Sequence, residues 1–403
     1  MQRLYFDHNA TTPLRDDVRA EWLRMLDAGL GNPSSVHGSG RRARAVVDEA
    51  RERTAAALGV HENEVVFTSG GTESIHLALR GGSVALAADL AAATTSIEHA
   101  AVHGALREVE RGGRRVLTLA VDANGRLDVE GAAQRCADAR VGLVSIGLAN
   151  NEIGVVQDVA GCAAALARRG VRAVLHTDAV QALGRLPLDL PHLGAHLVSF
   201  SVHKVGGPLG VGVLVVRGGA KIAPLQSGGG QELGLRSGTE NAAALAAAAL
   251  AIELAVREQS AYAERVGALT RRAWHGLVAA FAAAELAPPR LLGPPIDAPD
   301  RLPNTLDVLT EQGGDLLLAR LDLEGLEASA GSACASGSLE PSPALLALGL
   351  DEGEARRGLR LSLGRSTTAA DVDQLVEIVW KTCRWLGENR GTSRGSTRAH
   401  GLP

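Results

Sequence analysis

The sequence predicts an α/β fold, in which a mainly parallel sheet is flanked by helices and a smaller α+β domain lies beside it. Short apolar, β-branched segments alternate with amphipathic helical segments, as they do in parallel sheets covered by helices on both faces. Polar residues follow directly after several of these segments, where such folds bind their ligands. The chain has 403 residues, which is too long for one simple core.

The predicted elements of the larger domain follow one another in a regular order. Five apolar runs have the length of strands, at 65–68, 141–147, 171–177, 197–201 and 210–216. Helical patterns at 73–79 and 161–169 lie between these runs. A long helix over 241–258 comes next, in a position to join two domains.

We expect residues 14–255 to form the large domain. Residues 1–13 and 256–386 are expected to form the small domain, which carries a small-residue loop around Cys334. Residues 387–403 are rich in Gly, Ser, Thr and Arg, and this composition predicts a disordered tail.

Composition and charge exclude several functional classes. The net charge of −4 gives no general attraction to nucleic acid or to an anionic membrane. The first 13 residues lack the apolar run of a signal peptide. No apolar stretch without a charged residue reaches the length of about 18 residues that a membrane-spanning helix needs. None of the four cysteines forms a C-x-x-C pair, so no metal site is expected. We therefore predict a cytoplasmic protein.

Lysine is the rarest basic residue and occurs only at Lys204, Lys221 and Lys381. Arginine cannot lose its proton in a protein, so it cannot replace an amine nucleophile. Lys204 directly follows the predicted strand 197–201, where burial would lower its pKa and make the amine nucleophilic. The alternative, a surface lysine in a glycine loop, is weakened by the scarcity of lysine.

A Ser-Gly-Gly-Thr-Glu-Ser segment at 69–74 lies between a predicted strand and a predicted helix. Glycines allow close approach of a ligand to the backbone, and the start of a helix favours a phosphate group. No Gly-Lys-Ser/Thr follows, so a nucleoside triphosphate is not expected. On this segment alone, a simple glycine turn with a Ser or Thr cap is the better explanation of the pattern.

Three further polar residues follow predicted strands. Asp178 could hold a ring nitrogen protonated and Gln181 could bond a ring hydroxyl, although a helix cap is an alternative role for Asp178. His99 lies at a junction between strand and helix, where it could stack on a flat cofactor or transfer a proton.

Cys334 is surrounded only by small residues, from Ala330 to Ser338. Such a segment predicts a mobile loop, and an exposed thiol there points to nucleophilic use. The other cysteines, Cys136, Cys162 and Cys383, fit the more common role of a buried small hydrophobe.

Taken together, these segments resemble the cysteine desulfurases, the NifS/IscS-like branch of the class V aminotransferase family. The resemblance runs from about Leu4 to Leu375 and depends on eleven segments in the same order. They are DHNATTP, GNPSSVHGSG, FTSGGTES, EHAAV, NNEIGVVQD, HTDAVQALG, SFSVHK, GGGQE, RSGTEN, GSACASGSLEP and LRLSLGR. The resemblance implies a fold type I transferase that depends on pyridoxal 5′-phosphate (PLP), usually a homodimer.

The resemblance also implies roles for individual residues. Lys204, Cys334 and His99 would be catalytic, with Lys204 carrying the cofactor and Cys334 receiving sulfur. The residues implied to contact PLP are Gly71, Thr72, His99, Asn151, Asp178, Gln181, Ser201, His203, Lys204 and Thr239, the last supplied by the other subunit. Those implied to bind the substrate are Asn9, Asn151 and Arg360.

The implied activity converts L-cysteine to L-alanine, leaving a persulfide on Cys334 that is passed to a protein acceptor such as an iron–sulfur scaffold. A selenocysteine lyase or another class V PLP enzyme is one alternative, and a non-catalytic sulfur-transfer scaffold is another. The acceptor itself is not identified by the sequence: thiolation of tRNA, cofactor synthesis and sulfur modification of DNA are alternatives to iron–sulfur assembly.

Overall fold

The computed structural model describes residues 3–330 and 341–390. Cys334, the predicted nucleophile, lies outside the described residues, and so do residues 391–403 of the expected tail.

The large domain is built on a seven-stranded sheet in the order β2-β8-β7-β6-β5-β3-β4. Only β8 runs antiparallel to its neighbours, so the predicted mainly parallel sheet is confirmed. The twelve strands described are β1 Leu4–Tyr5, β2 Val65–Thr68, β3 Ala91–Thr95, β4 Val116–Leu119, β5 Val141–Ser145, β6 Val174–Asp178, β7 Leu197–Ser201, β8 Gly212–Val216, β9 Arg290–Leu291, β10 Thr305–Leu309, β11 Leu326–Glu327 and β12 Gly358–Ser362.

The predicted strands correspond to β2, β5, β6, β7 and β8, with differences at their ends. The strand predicted at 171–177 begins only at Val174, because the preceding residues close the helix before it: the Val171 N–H donates to the Leu166 carbonyl. Every residue of β5 and β7 is buried, which explains why these segments are almost continuously apolar.

The helices before residue 241 connect and cover the strands of this sheet, the long helix Ala242–Ala283 reaches both cores, and the helices after residue 314 belong with the smaller set of strands. The helices are α1 Asp16–Asp27, α2 Gly38–Leu58, α3 Gly71–His76, α4 Gly82–Val84, α5 Ala100–Arg111, α6 Val129–Asp138, α7 Val159–Arg168, α8 Ala242–Ala283, α9 Asp315–Leu323, α10 Pro343–Ala347, α11 Glu352–Ala355 and α12 Ala369–Arg390. A π-helical turn, Leu77–Gly81, makes α3 and α4 one continuous helix. Asp128 and Asp158 cap α6 and α7 with their carboxylates.

The helix predicted over 241–258 is much longer in the structure, where α8 covers 42 residues. Its alanine-rich first part packs into the core of the large domain, and its second part packs into a separate core through Val266, Ala273, Leu277 and Phe281. The prediction ended too early because the sequence becomes polar after the alanine run while the buried positions continue at helical spacing. Across the described residues no helix, α8 included, is both long and apolar enough to cross a membrane.

The second core belongs to a smaller set of strands and helices. An antiparallel sheet in the order β12-β10-β9 and a parallel pair of β1 with β11 pack against α8, α9 and α12. Leu4 and Phe6 from the N-terminus lie in this core together with residues from 266 to 386. The boundaries at 13/14 and 255/256 stay a prediction.

The predicted start of the tail at Gly387 is wrong by four residues, because α12 continues to Arg390. Arg384 forms an ion pair with Glu388 one helical turn later, and the Asn389 amide donates to the Trp385 carbonyl at 2.7 Å. These contacts extend the helix into a segment whose composition is typical of disorder.

Candidate active site

The carboxyl ends of β5, β6 and β7 open into a cleft of about 480 Å³, which β12 and the N-terminal segment face from the other side. Eleven of the predicted site residues line it. They are Asn9, Gly71, Thr72, His99, Asn151, Asp178, Gln181, Ser201, His203, Lys204 and Arg360. The structure therefore brings the polar residues that follow these strands together in one cleft.

One end of the cleft is shaped to hold an anion. Gly71 starts the helix that continues to Val84, so its first backbone N–H groups and the positive end of the helix dipole face the cleft. A Cβ atom on Gly71 would lie 3.0 Å from Val180 Cγ2 and 3.2 Å from Ser201 Cβ, so only glycine keeps this approach open. Hydroxyl groups of Thr72 and Ser201 lie in the same wall.

His203 completes this end of the cleft as a neutral side chain. Burial, together with the positive charges of Lys204 and Arg185, lowers the pKa of His203 to about 4. Its Nδ1 lies 3.0 Å from the hydroxyl of Thr11. At neutral pH His203 can therefore hydrogen-bond to an anion but does not contribute a positive charge.

Lys204 lies on a 3₁₀ turn, Val202–Val205, directly after β7. Its Nζ donates to two backbone carbonyls of the N-terminal segment, those of Asn9 and Ala10, both at 2.6 Å. These carbonyls orient the amine at the edge of the cleft. The lysine singled out by the scarcity of lysine in the sequence thus lines the cleft.

Two carboxylates lie on the floor of the cleft. Burial raises the pKa of Asp178, and this effect is opposed by the positive fields of His99 and Lys204 and by a hydrogen bond from the Val180 N–H at 2.9 Å. Burial raises the pKa of Glu98 to about 7, and the nearby Asp178 adds to this shift. Two carboxylates in one field cannot both ionise easily, so their titrations are coupled.

Glu98 is a site residue that the sequence reasoning missed. Its carboxylate accepts hydrogen bonds from the Gly147 N–H at 2.9 Å and from the Thr95 hydroxyl at 2.6 Å. It therefore connects the end of β5 with the end of β3. The available signal was its position, since it directly precedes His99 after an apolar segment. His99 itself caps α5, with Nδ1 accepting the Ala101 N–H at 3.1 Å.

The wall opposite the sheet is built by a network around Asn9. The Asn9 amide nitrogen donates to the Asn151 carbonyl at 3.0 Å and to the Thr305 hydroxyl at 2.9 Å, and its amide oxygen accepts from Asn304 at 3.0 Å. All of these groups connect the N-terminal segment to both domains. Asn9 therefore stabilises the architecture of the wall.

Arg360 projects into the cleft from the middle of β12 and is completely buried. Its Nη2 donates to Asp7 at 2.8 Å and its Nη1 to the Asn151 carbonyl at 3.3 Å. Within the described ranges its Nε has no hydrogen-bond partner. A buried guanidinium that is only partly paired is suited to bind a carboxylate.

The structure does not bring every predicted residue to this cleft. Thr239 is exposed, and it is not among the residues that line the cleft. Cys334 lies outside the described residues. The other cysteines are buried as predicted, and burial raises the pKa of Cys136 to about 11 and that of Cys162 and of Cys383 to about 12.

Comparison with known proteins identifies the family. Residues 4–375 match the family described as Aminotransferase class-V. The chain belongs to the class V aminotransferase family. A cysteine desulfurase IscS from Clostridium botulinum is 37% identical, with 94% of each chain covered. An IscS-like cysteine desulfurase from Mycobacterium tuberculosis is 39% identical, covering 93% of this chain and 95% of that protein.

Solved structures agree with this assignment. A NifS-like protein superposes with a TM-score of 0.86 at 33% identity, covering 95% of this chain and 100% of that one. A structure described as SspA in complex with cysteine gives a TM-score of 0.72 at 31% identity, over 89% of this chain and 98% of that one. The resemblance inferred from the motifs is confirmed, and with it the fold type I architecture.

Enzymes of this family depend on PLP, and the groups in the cleft fit this cofactor. The anion cradle at Gly71 suits a phosphate, the carboxylate of Asp178 suits a protonated pyridine nitrogen, and Lys204 supplies a primary amine. A Cβ at Gly71 would crowd the side chains of Val180 and Ser201, so glycine suits this close packing beside the cradle.

Proposed function

We propose that this protein is a cysteine desulfurase that converts L-cysteine to L-alanine and leaves a persulfide on Cys334. The observation that carries the proposal is the meeting, in one cleft, of the Lys204 amine, the Asp178 carboxylate and the buried Arg360 guanidinium. This reaction needs three groups. It needs an amine that binds an aldehyde cofactor, an anion that pairs with the cofactor ring, and a cation that binds the carboxylate of an amino acid.

The cofactor would be held by the large domain. Gly71, Thr72, Ser201 and His203 would bind the phosphate, with Thr239 of a second subunit as a further contact. The remaining ring contacts would come from His99, Asn151, Asp178 and Gln181. When bound, PLP supplies an electron sink next to the carbon that bears the substrate amino group.

The substrate would be held from the opposite wall. Arg360 would bind the cysteine carboxylate through its planar fork, with Asn151 as a second contact. Asn9 was predicted as a third ligand, but its amide oxygen and nitrogen already have protein partners. We propose instead that Asn9 positions Asn151 and the carbonyls that orient Lys204.

Proton transfer falls to two side chains. Lys204, released from the cofactor, would remove the Cα proton of the substrate and return a proton later. The His99 ring accepts at Nδ1, so its Nε2 carries the proton in the neutral form and can donate it. Groups of this kind contribute roughly 10²–10⁴-fold to a rate.

Sulfur transfer would use the Cys334 thiolate. Its Sγ attacks the substrate sulfur, a sulfur–sulfur bond forms, and the carbon–sulfur bond of the substrate breaks. The electron pair of that bond stays on the former Cβ, which takes up a proton to give alanine. The three buried thiols are poor candidates because their raised pKa values keep them protonated.

We propose further that the protein acts as a homodimer and passes its persulfide sulfur to an acceptor protein, such as an iron–sulfur scaffold. The exposed position of Thr239 supports the first part, since a residue outside its own cleft is free to reach that of a second subunit.

The test is to supply purified protein with PLP, L-cysteine and a thiol reductant, and to measure alanine and sulfide. Cys334→Ala is expected to keep the visible absorbance of bound PLP and to lose both products, whereas Cys136→Ala is the matched control and keeps them. Alanine at the wild-type rate from Cys334→Ala would contradict the proposal. Formation of a keto acid instead of alanine would favour an aminotransferase.

A further inference from the structure

Arg185 is a fully enclosed cation behind the cleft that neither the motifs nor the proposed reaction uses. Only 4% of its surface is exposed. Within residues 3–330 and 341–390 no carboxylate lies within 4.0 Å of its guanidinium, although most other buried or half-buried arginines have one. A buried charge of this kind is costly unless hydrogen bonds stabilise it.

The hydrogen bonds of Arg185 go to the side chain and backbone that shape the cleft. Nη1 donates to the side-chain oxygen of Gln181 and, at 3.1 Å, to its carbonyl, and Nη2 donates to the His8 carbonyl at 3.3 Å. The Arg185 carbonyl accepts from Gln259 on α8 at 3.1 Å, and the guanidinium also interacts with the Tyr262 hydroxyl.

This arrangement determines which way the Gln181 amide faces. An arginine side chain has donors and no acceptor, so the amide atom that meets it must be the oxygen. The amide nitrogen then faces the Asn9 carbonyl, to which it donates at 3.1 Å. An amide nitrogen carries two N–H groups, and among the described residues Gln181 Nε2 has this single acceptor. The second N–H is therefore available to a group in the cleft.

The same carbonyl links Gln181 to Lys204, since Asn9 O accepts from Lys204 Nζ at 2.6 Å. Arg185, Gln181, the Asn9 carbonyl and the lysine amine thus form one chain of hydrogen bonds. A change at Arg185 would alter the orientation of Gln181 without touching the cleft itself.

We propose that Arg185 is a positioning residue that locks the Gln181 amide so that it presents an N–H donor, rather than an acceptor, to an oxygen of bound PLP. The inference rests on the proposed function, because it needs the cofactor in this cleft. Without Arg185 the amide could rotate, and its oxygen would then repel an electron-rich ring oxygen. The donor stabilises the deprotonated state of that oxygen and so lowers its proton affinity.

The experiment is a double-mutant cycle on PLP binding to the cofactor-free protein, measured by equilibrium titration. Arg185→Met and Gln181→Ala are each expected to weaken PLP binding about tenfold, the usual effect of losing one hydrogen bond to a charged group. The double variant is expected to show the same tenfold loss, rather than the product of the two. Arg365→Met, which changes an exposed arginine that lines the same small cavity as Arg185, is the matched control and should leave binding unchanged.

A spectroscopic readout separates positioning from simple loss of structure. Arg185→Met and Gln181→Ala should both raise the pH at which the visible absorbance of bound PLP changes, and Arg185→Lys, which keeps a donor, should lie between Arg185→Met and the wild type. The role of Arg185 would be overturned if the double variant lost as much PLP affinity as the product of the two single losses. It would also be overturned if Arg185→Met left the pH dependence of the visible absorbance unchanged. If the wild-type protein does not bind PLP at all, the proposed function fails instead.

Discussion

The two walls of the cleft treat their buried polar groups differently. On the large-domain side, no side chain that lines the cleft is among the buried polar groups left without a hydrogen-bond partner in the described residues. Glu98 accepts from the Gly147 N–H at 2.9 Å and from the Thr95 hydroxyl at 2.6 Å, and Asp178 accepts from the Val180 N–H at 2.9 Å. On the small-domain side, in the described part of the chain, the Nε of Arg360 in the cleft wall has no hydrogen-bond partner, and neither do the carboxyl oxygens of Asp307, its neighbour on β10 outside the cleft lining.

This difference indicates a division of labour. Most buried polar groups in proteins are paired, so unpaired ones mark places where function overrides stability. The sheet edge of the large domain is already organised for a resident cofactor. The wall formed by β10 and β12 keeps part of its hydrogen-bonding capacity for a ligand that comes and goes, which suits a substrate carboxylate.

The largest expected effect is on the large-domain side, at Lys204. Lys204→Ala should lower the rate of alanine formation by at least about 10³-fold, because both cofactor attachment and proton transfer are lost. The measurement is alanine production from L-cysteine at saturating PLP. Lys221→Ala, which removes an exposed lysine, is the control and should keep the wild-type rate. Equal rates of alanine formation in the Lys204→Ala and Lys221→Ala variants would contradict the assignment of Lys204 as the catalytic lysine.

A smaller effect is expected at Arg360, on the opposite wall. Arg360→Lys should raise KM for cysteine by about 10–100-fold, because an ammonium cannot pair with a carboxylate through two bonds. The affinity for PLP should change little, since the cofactor is held by the other wall. Arg356→Lys, at an exposed position, is the control. If Arg360→Lys loses PLP and keeps its KM, the division between the two walls is wrong.

The smallest expected effect is on stability, at Asp307. Burial raises the pKa of Asp307 to about 8, helped by the neighbouring Glu152 and opposed by Arg360 and Arg301. The native carboxyl therefore holds its proton after the unfolded one has lost it, so this group makes the protein less stable as the pH rises from about 4 to about 8. Asp307→Asn removes this dependence. The free energy of unfolding of the variant minus that of the wild type should therefore be at least about 1 kcal/mol larger at pH 8 than at pH 5.

Thermal unfolding of Asp307→Asn at a series of pH values provides the measurement. The exposed Asp297→Asn is the control and should leave the pH dependence unchanged. If the unfolding temperatures of Asp307→Asn and the wild type change in parallel with pH, burial does not raise the pKa of Asp307.

The sequence predicted the large-domain wall better than the small-domain wall. Lys204 and Asp178 each follow a strand whose apolar pattern is unmistakable, and parallel strands bring their carboxyl ends together. Arg360 lies in the middle of a strand, where no local pattern distinguishes it from a structural arginine. Its assignment came from the resemblance to a family alone.

Contacts between residues far apart in sequence could not be predicted at all. Gln181 meets the N-terminal segment, and Glu152 receives the Ser342 hydroxyl at 2.5 Å across 190 residues. Neither contact leaves a local signature. The continuation of α8 beyond residue 258 was missed for a related reason, because the second core that buries it is formed by distant segments.

The most direct test of the account is the position of the transferred sulfur. The holoenzyme is mixed with one equivalent of L-cysteine without reductant, digested and mapped by mass spectrometry. We expect one added sulfur atom on the peptide that contains Cys334, and none on those of Cys136, Cys162 or Cys383, while Lys204→Ala shows no addition. Release of alanine with no sulfur on Cys334, or sulfur on one of the buried cysteines, would contradict the account.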